Sequence, residues 1–496
     1  MSRLRTALSV IVFAWPLLVS AQESFTTAED EAGNSYTGSS GFEAFKKNRL
    51  EGFTSYKEQV QKEFQQFAKL HDQVSQRYEK RISDVWAEPE QSSKTRWVHY
   101  EDGYRLKRVV DFEWQQIVWS TPESQVSSVG FTKSNARQML QALMAMTRRD
   151  AFEQDEVARE VEEKSLSQFK HLETATLDDS SPVLPTYLFG QESVAQSRRE
   201  RAIEAMLAAG DQVTRSQKGQ TIVSWVFPLT SGESAQAPEA PLAKSVQEKT
   251  QEKIEEKAQE NIQEKKPALA ASTAIPQKAA PKKIVPAESR PVPTEPSVNV
   301  WNTRVIESPQ HEQLPARARP FVAAINKENS EFELSAELLL AIIETESAFN
   351  PMAKSSIPAF GLMQIVPASA GQDATEKLFG KPRLLAPSYL YNADNNIRVG
   401  AAYFNILYYR YFKGIENPMS RLYCAIAAYN TGPGNVSLAL TGKDMRLRPA
   451  INIANTMNPD EVYEHLLKNL PYEETVNYLQ KVNTRLGNYT EALGNG

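Results

Sequence analysis

A chain of 496 residues is too long for one ordinary domain and calls for about three units. A net charge of −5 with acids and bases intermixed leaves no electrostatic footprint for nucleic acid. The one cysteine, Cys424, excludes an intrachain disulfide and falls in a helical run that wants a small buried side chain; five histidines without ligand spacing argue against a zinc site.

Residues 1–21 read as a secretory signal. Arg3 and Arg5 form a charged start, Ala7 to Val19 an apolar run interrupted by Pro16, and Val19-Ser20-Ala21 a small-residue cleavage site. The run is too short to span a membrane comfortably, and no cysteine follows it to carry a lipid. Residues 22–41 are small and polar, with too little apolar content to fold. Residues 42–86 space Val60, Phe64, Phe67, Val74, Tyr78 and Val85 at helical intervals, with Gly52 as the expected weak point.

A hairpin follows: Arg96 to Tyr100, a turn at Glu101-Asp102-Gly103, then Tyr104 to Phe112, with Ile117 to Ser120 as a third strand. Helices are expected near 131–172 and 194–210, and a last strand over Gln220 to Leu229. The aromatics Trp97, Tyr100, Tyr104, Trp114 and Trp119 fit two readings, a sugar-stacking platform or ordinary packing of a half-buried sheet, and packing is favoured. Residues 42–230 thus form one α+β unit.

Residues 231–298 read as a low-complexity, disordered linker. Glutamates recur every four residues from Glu248 to Glu264, and Pro267 to Pro296 is rich in Pro, Ala and Lys. Such a segment tethers rather than packs.

From about residue 315 to 490 the chain is helical again. Leu338, Leu339, Ile342 and Ile343 form a buried stripe, with Ser335 as N-cap and Leu334 placed to staple onto Leu339. Glu346 sits at the end of this helix, one turn beyond two isoleucines. Desolvation there disfavours the carboxylate and raises its pKa, which suits a general acid. The plain alternative is a helix-end glutamate pointing into water. Asn396 to Phe412 is a further amphipathic helix, with Asp394 or Asn395 to cap it. Met419 to Ala428 is another, stopped by Gly432 and Pro433, and two more fall near 459–468 and 472–487.

The wording of this region carries a resemblance. Glu346-Ser347-x-Phe349-Asn350-Pro351 and Gly361-Leu362-Met363-Gln364 are followed by Asn396-Ile397-x-x-Gly400-x-x-Tyr403. Then come Ala427-Ala428-Tyr429-Asn430-x-Gly432-Pro433-Gly434 and Pro471-x-x-Glu474-Thr475-x-x-Tyr478. In this order the motifs resemble the lysozyme-like (SLT) domain of lytic transglycosylases. The whole is similar to the membrane-bound murein transglycosylase C type, which also has an α+β N-terminal domain.

The resemblance implies that peptidoglycan glycan strands are the substrate. It implies non-hydrolytic cleavage between N-acetylmuramic acid and N-acetylglucosamine, leaving 1,6-anhydromuramoyl ends, in the turnover or remodelling of the cell wall. Glu346 would be the catalytic residue, first acid and then base, with the sugar's C6 hydroxyl as nucleophile. Tyr429 would position its carboxyl and Ser355 would bond the muramoyl N-acetyl group. Met363, Gln364 and Asn430 would line the cleft, and Glu474 and Tyr478 would close the sugar sites. No cofactor or metal is implied. The expected location is the periplasm of a Gram-negative bacterium, soluble or peripheral to the outer membrane, with envelope proteins as candidate partners of the N-terminal unit. Pro358 departs from the small residues usual in the family, and proline fixes φ, so the loop beside the site is expected to differ in shape. A hydrolytic muramidase would need a further carboxylate, since glycosidases usually employ two. A non-catalytic glycan binder would have no need of a desolvated Glu346.

Overall fold

The computed structural model describes residues 40–177, 180–191, 193–232, 305–355, 357–367 and 369–494. The signal-peptide expectation at 1–21 and the linker expectation from residue 233 onward lie outside the described residues. The chain divides into two compact units, Met1–Gln59 and Val60–Gly496. In the first, residues 40–59 are helical, and Gly52 does not break the helix.

In the second unit the same helix, α1 (Ser40–Ser83), continues from Val60 to Ser83. Val60, Phe67, Val74, Tyr78 and Ile82 are buried, a stripe at the seven- and four-residue spacings of one helix face. A five-stranded antiparallel sheet follows: β1 (Arg96–Glu101), β2 (Leu106–Asp111), β3 (Gln116–Pro122), β5 (Asp211–Gln217) and β6 (Gln220–Pro228). Its order is β1-β2-β3-β6-β5. The β1–β2 turn needs three successive positive φ values, at Asp102, Gly103 and Tyr104. Trp97, Tyr100 and Trp119 are buried, so these aromatics pack the sheet; Trp114 alone of the five is largely exposed. Phe131 stacks on Trp225 with ring centroids 4.0 Å apart, and Trp119 meets Phe227 edge-on at 5.7 Å.

The helices expected near 131–172 are three: α2 (Lys133–Ala145), α3 (Arg148–Gln154) and α4 (Glu156–Gln168). Side-chain caps divide them. Thr147 forms a capping box with Asp150, and Asp155 accepts from the Ala158 amide. Next come β4 (Leu172–Glu173), α5 (Val183–Phe189) and α6 (Gln196–Ala209).

The C-terminal region is helical: α7 (Val322–Phe332), α8 (Ala336–Ser347), α9 (Ala370–Phe379), α10 (Ala393–Ile406), α11 (Pro418–Thr431), α12 (Pro433–Thr441), α13 (Pro459–Asn469) and α14 (Glu473–Gly494). Helix α10 is capped by Asn392, which accepts from the Asn395 amide; neither Asp394 nor Asn395 does so. Pro433 not only follows the end of α11 but opens α12, at the position where its missing N–H costs nothing. Helix α8 packs along α14. Cys424 is buried on α11, and burial pushes its thiol up to about 12, as befits a core side chain.

The sheet-bearing region and the helical region share one hydrophobic core. The short strand β4 pairs in parallel with β7 (Leu384–Leu385) from the helical region. Beside it Arg383 reaches Glu173 at 2.6 Å, and the Ser388 amide donates to Glu162 at 2.8 Å. A buried ion pair ties α8's following loop to the start of α4: Lys354 Nζ lies 2.7 Å from both carboxylate oxygens of Asp155. Burial alone would raise the Asp155 pKa, but the Lys354 ammonium and the Ala158 amide hold it below the usual carboxylate range.

Candidate active site

Helix α8 begins as its sequence requires. Ser335 Oγ accepts from the Leu338 amide at 3.2 Å, and Leu334 and Leu339 are both fully buried. Nine of its twelve residues are buried, Glu346 among them. The helix then stops abruptly on two residues in the left-handed region, Ala348 (φ 49°) and Phe349 (φ 64°). The Ala348 amide returns to the Glu344 carbonyl at 3.0 Å, and the Asn350 amide to the Ser347 carbonyl at 2.9 Å. Glu346 is therefore fixed on the last turn of a largely buried helix, and the residue is only 3% exposed.

Residues 353–355 and 357–365 fold back beside it. Phe360 bridges to both Lys354 and Ile365, and the Gly361 amide donates to the Ala353 carbonyl at 2.8 Å. Asn396 on α10 pins this loop with its whole side chain. Its Nδ2 donates to the carbonyls of Phe360 and Leu390, both at 2.8 Å, and its Oδ1 accepts from the Met363 amide at 2.7 Å. Gly361 sits so close to Asn396 and the Leu390 carbonyl that a Cβ would lie 2.2 Å from that oxygen; at φ 75° only glycine fits. The result presents Met363 and Gln364. Gln364 is itself left-handed (φ 47°), donates through Nε2 to the Gly361 carbonyl at 3.0 Å, and keeps a buried Oε1 with no hydrogen-bond partner among the described residues.

Two tyrosines approach the carboxyl with different duties. The Tyr429 hydroxyl donates to the Met363 carbonyl at 2.9 Å, so it holds the loop rather than Glu346. The Tyr478 hydroxyl, on α14, is buried, has no hydrogen-bond partner among the described residues, and faces Glu346. Asn430 accepts from the Thr475 hydroxyl at 2.7 Å, which joins α11 to α14. Ser355 is half-buried, and its hydroxyl donates to the Ile357 carbonyl. Glu474 projects into solvent, 75% exposed.

The remaining neighbour comes from the other region of the molecule. Lys94, just before β1, places Nζ 3.3 Å from Glu346 Oε2 and 3.4 Å from Glu474 Oε1. Burial raises the Glu346 pKa above the ordinary glutamate value, and Lys94 and the Tyr478 hydroxyl offset only part of that rise. On Lys94, burial pulls downward but the two carboxylates outweigh it, and its pKa is raised. Glu344, two residues from Glu346, faces elsewhere: it accepts from Arg317 at 2.9 Å and from Tyr489 at 3.0 Å. The structure thus gathers Glu346, Met363, Gln364, Tyr429 and Tyr478 on one locus, with Asn430 and Glu474 at its α14 side. Lys94 carried no signal in the sequence, being one lysine in a polar stretch ahead of a strand.

Chemically, the arrangement offers one desolvated carboxyl that holds a proton more readily than usual, between a cation and a phenol, and an unpartnered amide oxygen on the loop that Tyr429 holds. Residues 323–448 match the Transglycosylase SLT domain family. The match takes in Glu346, Ser355, Met363, Gln364, Tyr429 and Asn430; Glu474, Tyr478 and Lys94 lie beyond it. The membrane-bound lytic murein transglycosylase C of Pectobacterium atrosepticum is 40% identical over 190 residues, 38% of this chain and 52% of that protein. The protein of the same name from Sodalis glossinidius is 40% identical over 190 residues, again 38% of this chain and 52% of its own. The chain spans about half the length of the curated relatives it matches. A crystal structure of the 70-kDa soluble lytic transglycosylase from Escherichia coli is 25% identical, over 36% of this chain and 26% of that one, with a TM-score of 0.27. The SLT match and the two murein transglycosylase C relatives agree with the resemblance read from the motifs around Glu346.

Proposed function

We propose that this protein is a peptidoglycan lytic transglycosylase with Glu346 as its catalytic acid and base. The observation that carries the reading is the carboxyl itself. It is buried at the end of a packed helix and favours its protonated form, within the segment that matches the SLT domain.

In the proposed reaction Glu346 gives its proton to the oxygen that links N-acetylmuramic acid to N-acetylglucosamine. The C1–O bond breaks and the leaving sugar departs as an alcohol. The C6 hydroxyl oxygen of the muramoyl residue then bonds to C1, and its proton passes to the Glu346 carboxylate. The enzyme ends as it began, and no water is consumed. Gln364 Oε1, buried and unpartnered, is positioned to accept from a sugar N–H or O–H, which would satisfy an atom that is costly to leave unpaired. Ser355 and Asn430 are proposed as further sugar contacts, and Met363 as apolar cleft lining. The substrate places the protein in the cell envelope. Among the described residues no helix is long and apolar enough to cross a membrane.

The test is Glu346→Gln, which keeps size and polarity but can neither deliver nor recover a proton. Loss of murein-clearing activity by about 10²–10⁴-fold or more is expected, with thermal unfolding unchanged. Wild-type digests should contain muropeptides lighter by one water than hydrolysis products. Near-wild-type activity in the variant would remove Glu346 from the mechanism. Products of full hydrolytic mass would keep the site and change the reaction to hydrolysis, with Glu474 as the carboxylate to examine next.

A further inference from the structure

Lys94 belongs to the sheet-bearing region, far outside the residues that match the SLT domain, yet its ammonium touches the one buried carboxyl of the site. Its placement is built from both sides. On the sheet side, the Ser93 amide donates to the Arg96 carbonyl and the Phe112 amide to the Thr95 carbonyl, each at 2.8 Å. On the helical side, the Lys354 amide donates to the Ser93 carbonyl and Asn350 Nδ2 to the Lys94 carbonyl, each at 3.5 Å. Both acceptors lie within one residue of Lys94, and both donors come from the loop that leaves α8 just after Glu346. Backbone that is held at residues 93, 94 and 95 cannot swing the lysine away as a surface chain would.

We propose that Lys94 is a positioning residue for Glu346, delivered to the helical region's site by the N-terminal region, and that its ammonium tunes the proton affinity of that carboxyl. The proposal rests on the assignment of Glu346 as the acid. Among the described residues four groups face the Glu346 carboxyl. Lys94, from the segment before β1, favours the carboxylate by opposite charge. Glu474, from α14, disfavours it by like charge. The Tyr478 hydroxyl, also from α14, lies against the carboxyl without a hydrogen bond of its own among the described residues and favours the carboxylate. Tyr429, from α11, is a neutral phenol engaged with Met363. Lys94 stands first among the groups that oppose the burial of the carboxyl. It also sits between Glu346 and Glu474, so its removal takes away an attraction and uncovers a repulsion. Both effects make Glu346 hold its proton to higher pH.

The sign follows directly. A general acid must be protonated to act, so the alkaline limb of the rate profile reports its ionisation. With Lys94 present that limb lies lower; without it the limb moves up. An opposite charge at this distance is worth roughly one unit or more. The experiment is the pH profile of murein clearing by the full chain and by its Lys94→Met and Lys94→Arg variants. The expected result is an alkaline limb displaced upward by about one pH unit in Lys94→Met and unmoved in Lys94→Arg. A Lys94→Met limb that coincides with the parent's overturns the proposal, whatever happens to the maximal rate, because a purely structural lysine lowers the rate at every pH alike. If Lys94→Met is too slow to profile, the Glu346 carboxyl is followed by ¹³C NMR with labelled glutamate, the Glu346→Gln spectrum identifying its signal. A midpoint raised in Lys94→Met supports the proposal and an unmoved one overturns it. Failure of the Glu346 assignment reads differently: Glu346→Gln would then stay active.

Discussion

Two tyrosines lie beside one carboxyl, one hydroxyl engaged and the other free of hydrogen bonds among the described residues. The Tyr429 hydroxyl is committed to the Met363 carbonyl, a group in a fully buried residue of the loop that presents Gln364. Tyr429→Phe should therefore cost about 1–3 kcal/mol of stability, because the carbonyl loses a partner that no water can replace there. The Tyr478 hydroxyl has no such commitment and faces Glu346, which it draws toward the carboxylate form. Tyr478→Phe should leave denaturant unfolding nearly unchanged. It should raise the Glu346 pKa, so that the alkaline limb of activity moves up, in the same direction as in Lys94→Met. Chemical denaturation and pH–rate profiles of the two phenylalanine variants check the contrast. A large stability loss in Tyr478→Phe together with none in Tyr429→Phe would reverse these roles. The family pattern assigned the positioning role to Tyr429 and a sugar-closing role to Tyr478. Sequence spacing cannot say which of two nearby phenols finds a carbonyl first, since that is decided by the path of a loop two helices away.

At the scale of elements, the end of α8 shows how Glu346 is held. Ala348 and Phe349 both adopt left-handed backbone, which costs an L-residue with a Cβ on the order of 1 kcal/mol each. Phe349 is fully buried and stacks on Phe321 with centroids 6.2 Å apart, so its packing offsets the strain. Ala348 has only a methyl group to offer. Ala348→Gly should relieve the strain for a net gain of about 0.5 kcal/mol, after the extra freedom glycine gives the unfolded chain. Urea unfolding at fixed pH measures it, and a destabilised variant would mean that the methyl group's packing outweighs the backbone conformation. The elements legible in the sequence were those whose residues announce them: the apolar stripe and Ser335 cap of α8, the hairpin around Asp102-Gly103, and the strand over Gln220–Pro228. Strand β5, reading DQVTRSQ, was missed because it is an edge strand, almost wholly exposed, with no apolar alternation to mark it. The helix boundaries at Thr147 and Asp155 have no mark in the apolar spacing, because each new helix is started by a single N-cap side chain. The site followed the same rule. Residues within the ordered motifs were found, whereas Lys94 enters through tertiary contact, for which a lone lysine offers no pattern.

At the scale of the molecule, residues on both sides of the proposed linker form one packed body. Strand β4 pairs with β7, Lys354 pairs with Asp155 inside the seam, and Lys94 completes the surroundings of Glu346. A linker that tethers two independent domains would release an active helical fragment when cut. A shared core predicts the opposite. With a specific protease site inserted between Lys266 and Pro267, cleavage should leave both pieces in one complex on gel filtration, with murein-clearing activity retained until denaturant separates them. The seam's ion pair gives the second arm of the test. Lys354→Met leaves the Asp155 carboxylate buried without its cation, a loss on the order of 3–5 kcal/mol. The cleaved variant should therefore hold its two pieces together at least about a hundredfold more weakly than the cleaved parent. Separation of the parent's pieces on cleavage, with full activity in the helical piece alone, would show that the seam is dispensable and that Glu346 works without the region that carries Lys94.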